Sequence, residues 1–381
     1  MKPLNFLKSL SVFLGTVVGV GIFGLPFAAL KSGFLVVLGY FLLMTFIAIA
    51  IHFLFGTITV KTEEKYRLPG YVGKYLGEKW KKVSFLITGT GLLGALLAYL
   101  IIGGQFLNSI FQPYLGGNSI IYTFLFFSFG AYLVFRDIRS ISEIEIILLI
   151  VLLLIIFSLF IKSYTFINPE NLKNIHLKNL TFPFGLVLFS LWGTSIIPEL
   201  KEMIKNSLSN KEKTEFYLKI IISLGLILSV FIYLFFIYIV LGVSGSKTST
   251  DAMSGLANVL SPNSDIIKIG FIFGVICSFT SFLSVALTLK KTFWFDFHLS
   301  KNFSWFLSCF LPLFLFILGA RQFIKVISFS GAISVGSEGI IIIFLYKKFL
   351  EKKFKKQMPR IFYFLIPIFI LGIIFEIIHL I

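Results

Sequence analysis

Charge is scarce in this chain. Only 13% of its 381 residues are Asp, Glu, Lys or Arg, about half the share of a soluble globular protein. No stretch between its apolar segments is long enough for a soluble domain. Cysteine is nearly absent, and Cys277 and Cys309 both fall inside apolar segments, which excludes a disulfide framework or a cysteine metal motif. The histidines His52, His176, His298 and His379 are scattered, and Asp137, Asp251, Asp265 and Asp296 are isolated. Membrane enzymes normally need a metal site or a positioned acid and base, and neither is visible. No repeat resembles the filter of an ion channel.

What is abundant is hydrocarbon. The chain is 57% hydrophobic with 48 Phe, and its mean hydropathy is +0.97. Apolar runs near the ~20 residues that cross a bilayer recur throughout. They predict eleven spans, at 8–31, 33–58, 83–111, 118–135, 142–162, 180–203, 217–243, 265–290, 303–320, 323–346 and 360–381. The first run follows Lys2 and Lys8, as in a signal peptide, but it continues through Gly21 and Pro26 and is expected to be retained as a span. The net charge of +17 sits mostly in short loops, above all 61–82 and 347–360, where it sets orientation rather than binding nucleic acid. The expectation is a cell-membrane protein with its N-terminus cytoplasmic and its C-terminus outside. The segment 68–83 mixes apolar and basic residues at helical spacing, which predicts an amphipathic helix on the inner surface.

Two spans are interrupted. Gly21 precedes Pro26 by five residues, Gly193 precedes Pro198 by five, and both landmarks are offset by 172 residues. Glycine makes a helix costly, by about 1 kcal/mol relative to Ala, and proline removes a donor and clashes with the preceding turn. Breaks are therefore expected near 18–23 and 191–195. Paired breaks in two halves mark the substrate site of many transporters. Five spans per half is odd, so the second unit is inverted: residues 1–162 form the first repeat, 163–179 an outer loop, 180–346 the second repeat, and 347–381 a basic inner loop with an eleventh span. At each break one half-helix offers free N–H groups to a carboxylate, and the other offers free carbonyls to an ammonium or a cation. An amino acid is the simplest ligand. Gly15 and Gly19, four apart, also suit close helix packing.

The stretches GTVVGVGIFGLPFAALKSGF, LFSLWGTSIIPELKE and TSFLSVAL resemble the first, sixth and eighth spans of amino-acid permeases of the amino acid–polyamine–organocation superfamily. The closest likeness is to the amino acid/auxin permease and aromatic amino-acid permease branches. That resemblance implies an all-α, five-plus-five inverted-repeat fold with one extra C-terminal helix, working as a cation-coupled secondary transporter by alternating access. By motif position, Val18, Gly19, Gly21 and Ile22 would hold the amino-acid backbone. Phe189 would be an aromatic gate, Leu191, Trp192 and Gly193 would line the side-chain pocket, and Tyr99 and Gly103 would contribute from span 3. Carbonyls of Gly15, Val18 and Cys277 with hydroxyls of Thr280 and Ser281 would hold sodium. Some relatives place a span 5 lysine there, which this chain lacks from 146 to 160.

Glu338, the deepest acid, is the candidate proton carrier; its structural alternative is a carboxylate bonded to the backbone of its own span. His52, Glu199 and Glu376 are expected at span ends, and Glu143 and Glu145 beside Arg136 or Arg139. A lipid-modifying membrane enzyme is the alternative function, with an ion channel a weaker one. No cofactor is expected beyond a coupling ion.

Overall fold

In hydrocarbon the backbone must close its own hydrogen bonds, and a helix does so segment by segment. The computed structural model describes residues 1–137, 142–208, 210–261 and 264–380, and these are helical with short connections. The helices are α1 (Pro3–Val17), α2 (Gly21–Ser32), α3 (Phe34–Lys61), α4 (Leu68–Leu76), α5 (Glu78–Leu115), α6 (Ser119–Phe135), α7 (Ser142–Ser163) and α8 (Pro183–Ser190). They continue with α9 (Ile197–Lys205), α10 (Lys211–Ser244), α11 (Met253–Leu260), α12 (Asp265–Lys291), α13 (Lys301–Ile317), α14 (Phe323–Phe329), α15 (Gly336–Phe354) and α16 (Leu365–Leu380). Among the described residues, eight stretches are long and apolar enough to cross a membrane. The pair α1 and α2, bent by 51°, makes a ninth, and α6 and α13 are shorter apolar helices.

Burial separates centre from rim. The stretch Pro183–Lys205 is 67% buried against 17% for Arg360–His379, so α8 and α9 lie inside and α16 lies outermost. The broken pair α1 and α2 packs on α8 and α10, α3 lies along α10, and α5 lies along α12 and α6. These helices frame the two breaks. The loop 163–179 is folded onto them: the His176 amide bonds the Ser32 carbonyl at 3.0 Å, and Asn171 Nδ2 donates to Gly242 O at 2.8 Å. Gly33 has φ of 109° where α2 turns into α3, and a methyl there would collide with the Asn174 carbonyl. Only glycine fits that turn.

The segment 68–83 is two helices rather than one. Gly77, with φ of 98°, ends α4 and starts α5. Leu68, Tyr71 and Val72 of α4 are buried against α5 and α15, so its apolar face meets protein. Two of the groups expected at span ends are interior. His52 is fully buried, because α3 runs on to Lys61 and leaves it well inside the helix. Glu376 is 7% exposed and accepts from Ser328 Oγ at 2.6 Å. Glu199 does pair with Arg67, at the start of α4.

Asp137 is likewise not isolated. It bonds the buried Lys290 at 2.7 Å and Lys301 at 2.5 Å, tying α6 to α12 and α13. Arg139 and the side chains of Glu143 and Glu145 lie outside the described residues. Burial alone would raise the Asp137 carboxyl, but the two lysines outweigh it and hold it below its usual range. Its stabilising contribution is therefore present near neutrality and is lost as pH falls through that lowered value. Asp137→Asn strands the Lys290 ammonium with only the Val134 carbonyl. We expect a loss of roughly 2 kcal/mol, less than for a fully buried pair, because Asp137 is 40% exposed. Melting of the purified protein near neutral pH should drop by several degrees, and the gap should close in acid. Equal melting at neutral pH would show that Lys290 finds another partner.

Candidate functional site

The first break is three residues long, Val18 to Val20, shorter than the sequence suggests. Val18 has φ of −80° and ψ of 70°, an inverse γ-turn, and the Gly19 amide bonds Val17 O at 2.9 Å. In an unbroken helix that amide would reach Gly15 O. The Ile22 amide likewise bonds Gly19 O at 3.3 Å in place of Val18 O. The carbonyls of Gly15 and Val18 therefore lose their helical partners. On the other side, the amides of Val20 and Gly21 have no backbone partner among the described residues, and they sit at the positive end of α2.

The second break runs from Leu191 through the short turn Thr194–Ile196. Gly193 needs to be small because a methyl on it would stand 2.9 Å from Val17 Cγ2. Gly21 needs to be small because a methyl there would collide with Ser190 Oγ. Each glycine lets its break close against the other broken span.

Two side chains hold the breaks, and sequence reasoning missed both roles. The Tyr233 hydroxyl, fully buried on α10, lies 2.6 Å from Val17 O and 2.8 Å from Ser190 O. The last carbonyls before the two breaks thus meet at one hydroxyl. His52 Nε2 accepts the Gly193 amide at 2.9 Å, and Nδ1 lies 2.6 Å from Ala48 O. Those bonds require neutral imidazole with its proton on Nδ1. A histidine within an apolar run was the available signal for His52. Nothing distinguishes Tyr233 among 14 tyrosines.

A cavity of about 110 Å³ lies between the breaks, lined by Gly19, Gly21, Tyr99, Phe189, Trp192 and Glu338 among others. It reaches Arg67, Leu68 and Pro69 at the start of α4. Five of the sequence-named residues meet here: Gly19, Gly21, Tyr99, Phe189 and Trp192. Ile22 and Leu191 point into the core. Gly103 packs on Phe126 of α6, where a methyl would collide with the ring; it stands one turn further along α5 than Tyr99, where α6 covers the helix. Gly193 contributes its amide to His52. Glu338 accepts from Trp192 Nε1 at 2.9 Å and from Thr194 Oγ1, so it binds the second break and not the backbone of its own helix.

A second cavity of about 60 Å³ lies behind the first break, against α7 and α12. Gly15, Val18, Cys277, Thr280 and Ser281 all line it. Thr280 Oγ1 donates to Cys277 O at 3.1 Å. Tyr99 lines both cavities, and its hydroxyl faces Ser281. Among the described residues no cluster of three His, Cys, Asp or Glu could hold a metal ion. The oxygens of the second cavity are carbonyls and hydroxyls, which suit a hard monovalent cation.

Tyr233→Phe removes the one hydroxyl shared by the two carbonyls, leaving Val17 O with the Gly19 amide and Ser190 O without its partner. A loss of roughly 1–3 kcal/mol is expected, read as a lower melting temperature, with faster exchange of the amides around 17–21 and 189–194. Unchanged exchange at both breaks would show that another group satisfies them.

The sequence profile of the tryptophan/tyrosine permease family matches residues 2–379. Glutamine transporter 2 of Aliivibrio fischeri is 25% identical over 335 residues, covering 85% of this chain and 84% of its own. Among solved structures, MhsT in complex with L-phenylalanine aligns with a TM-score of 0.68 at 16% identity, covering 98% of this chain and 99% of its own. Mhp1, a nucleobase-cation-symport-1 family transporter in a closed conformation, aligns with a TM-score of 0.65 at 12% identity, covering 94% of this chain and 80% of its own.

Proposed function

Because this chain belongs to the tryptophan/tyrosine permease family, whose members are transporters and not enzymes, we propose that it is a cation-coupled amino-acid transporter of the cell membrane that works by alternating access. The observation that carries the reading is the first break. Free amides of Val20 and Gly21 and freed carbonyls of Gly15 and Val18 stand within one turn of each other, so a single interruption complements a zwitterion. The relatives named for glutamine transport and for bound L-phenylalanine fit such a substrate.

In this reading α6 and α13 also cross, giving eleven spans, with α1–α7 as one repeat and α8–α15 as its inverted copy. Two observations support that division. The breaks are offset by 172 residues, and helices at matching positions pack on each other: α3 with α10, α5 with α12, α6 with α13. The lysine-rich segments place the N-terminus inside and the C-terminus outside.

Sodium is the coupling ion we favour, held in the second cavity by Gly15, Val18, Cys277, Thr280 and Ser281. A proton on Glu338 is the second reading, supported by its burial within the substrate cavity. Uptake into liposomes separates them. Gly21→Val should abolish uptake of tryptophan, tyrosine or glutamine while leaving the protein in the membrane. Thr280→Ala should raise the half-saturating sodium concentration about tenfold, the order of one lost coordinating ligand. Uptake driven by a pH gradient without sodium, and lost in Glu338→Gln, would select the proton instead. Full uptake by Gly21→Val would remove the break from the mechanism.

A further inference from the structure

One wall of the larger cavity carries more polar capacity than it uses. Ser334 lines it, is 3% exposed, and its hydroxyl has no partner among the described residues. That is unlike its neighbours. Ser32, Ser190, Ser229 and Ser330 each return the hydroxyl to the carbonyl four residues back, at 2.7 to 2.8 Å. Ser334 lies in the π-helical turn Ser330–Val335, where the backbone register is shifted by one residue. Thr88 of α5 lines the same wall. Its hydroxyl faces the Glu338 carboxylate but falls short of full hydrogen-bond geometry. Glu338 accepts both of its protein hydrogen bonds, from Trp192 and Thr194, on Oε1. A carboxylate offers about four acceptor sites, so Oε2 can take another donor.

An unpartnered buried hydroxyl costs about 1–3 kcal/mol, and here two stand beside an acid with acceptor capacity to spare. A ligand N–H or O–H can donate to Oε2 or to one of these hydroxyl oxygens, whose own protons then turn toward the carboxylate. The rest of the cavity wall is mostly apolar, with Phe55, Leu92, Phe189 and Val285. The complement is a large apolar body with one polar tip.

We propose that Glu338, Thr88 and Ser334 form a subsite for the far end of the substrate's side chain, selecting amino acids that end in a neutral N–H or O–H donor over hydrocarbon isosteres. The proposal rests on the amino-acid transporter reading. It differs from a proton role for Glu338, because the group engaged belongs to the substrate. The mostly apolar walls penalise burial of an ammonium, which favours a neutral tip.

Matched pairs test it. The purified full chain is titrated by thermal shift with tyrosine against phenylalanine, and with tryptophan against 3-benzothienylalanine, in which sulfur replaces the indole N–H. Lysine and leucine complete the panel. A site built around a hydrogen bond rejects an analogue lacking it far more strongly than an apolar pocket does. We expect the donor-bearing member of each pair to bind at least tenfold more tightly. Ser334→Ala and Thr88→Val should each shrink that ratio at least threefold while phenylalanine binding stays within twofold, a selectivity that mere loss of stability would not produce. Equal binding within both pairs, a ratio unmoved in both variants, or lysine as the tightest ligand would overturn the subsite and leave the transporter reading standing. Failure of every amino acid to bind would overturn both.

Discussion

One hydroxyl holds the centre of this protein. Breaking a helix in a bilayer strands backbone groups that no lipid can satisfy, and here two helices break side by side. Tyr233 meets the last carbonyl before each break, and His52 takes the first orphaned amide of the second. With those groups satisfied, the amides of Val20 and Gly21 and the carbonyls of Gly15 and Val18 can stay open toward the cavities. The unfilled bonds are thus selected, and the rest of the helical packing serves to hold them in place.

The two cavities meet at the first break and at Tyr99. The break presents amides to one chamber and carbonyls to the other, and the tyrosine ring lines both. In the proposed cycle an occupant of either chamber acts on the same three residues of backbone, so each ligand changes the affinity of the other by an equal factor. One end of the larger cavity is lined by Arg67, paired with Glu199 on α9. The neighbouring pair Lys65 and Glu202 spans the same gap. These contacts join α4 and its lead-in to α9, the second half of the second broken span.

Membrane insertion and the positions of the breaks were legible in the residues because both depend on local composition. Apolar runs of bilayer length can only be spans, and glycine five residues before proline can only weaken a helix. Gly15 and Val18 were named from the resemblance alone, and the break supplies the physical reason their carbonyls are free: they stand four residues before Gly19 and Ile22, whose amides turn elsewhere. Misplacing His52 at a span end came from reading α3 a few residues short, while missing the burial of Glu376 against Ser328 and separating Asp137 from Lys290 both came from having no contact across helices.

Helical periodicity along one chain says which residues share a face, but not which neighbour that face meets. Gly103 and Tyr99 are one turn apart on α5, yet Tyr99 faces the cavity while Gly103 is filled by Phe126 of α6. Glu338 looked like an acid bonded within its own helix and instead joins α15 to the second break. Tyr233 carried no local mark at all. Spans, breaks and freed backbone groups are properties of short stretches, and the residues alone specify them. Which side chains satisfy those groups, and which remain open to a ligand, depends on contacts between helices distant in sequence, and packing alone resolves that.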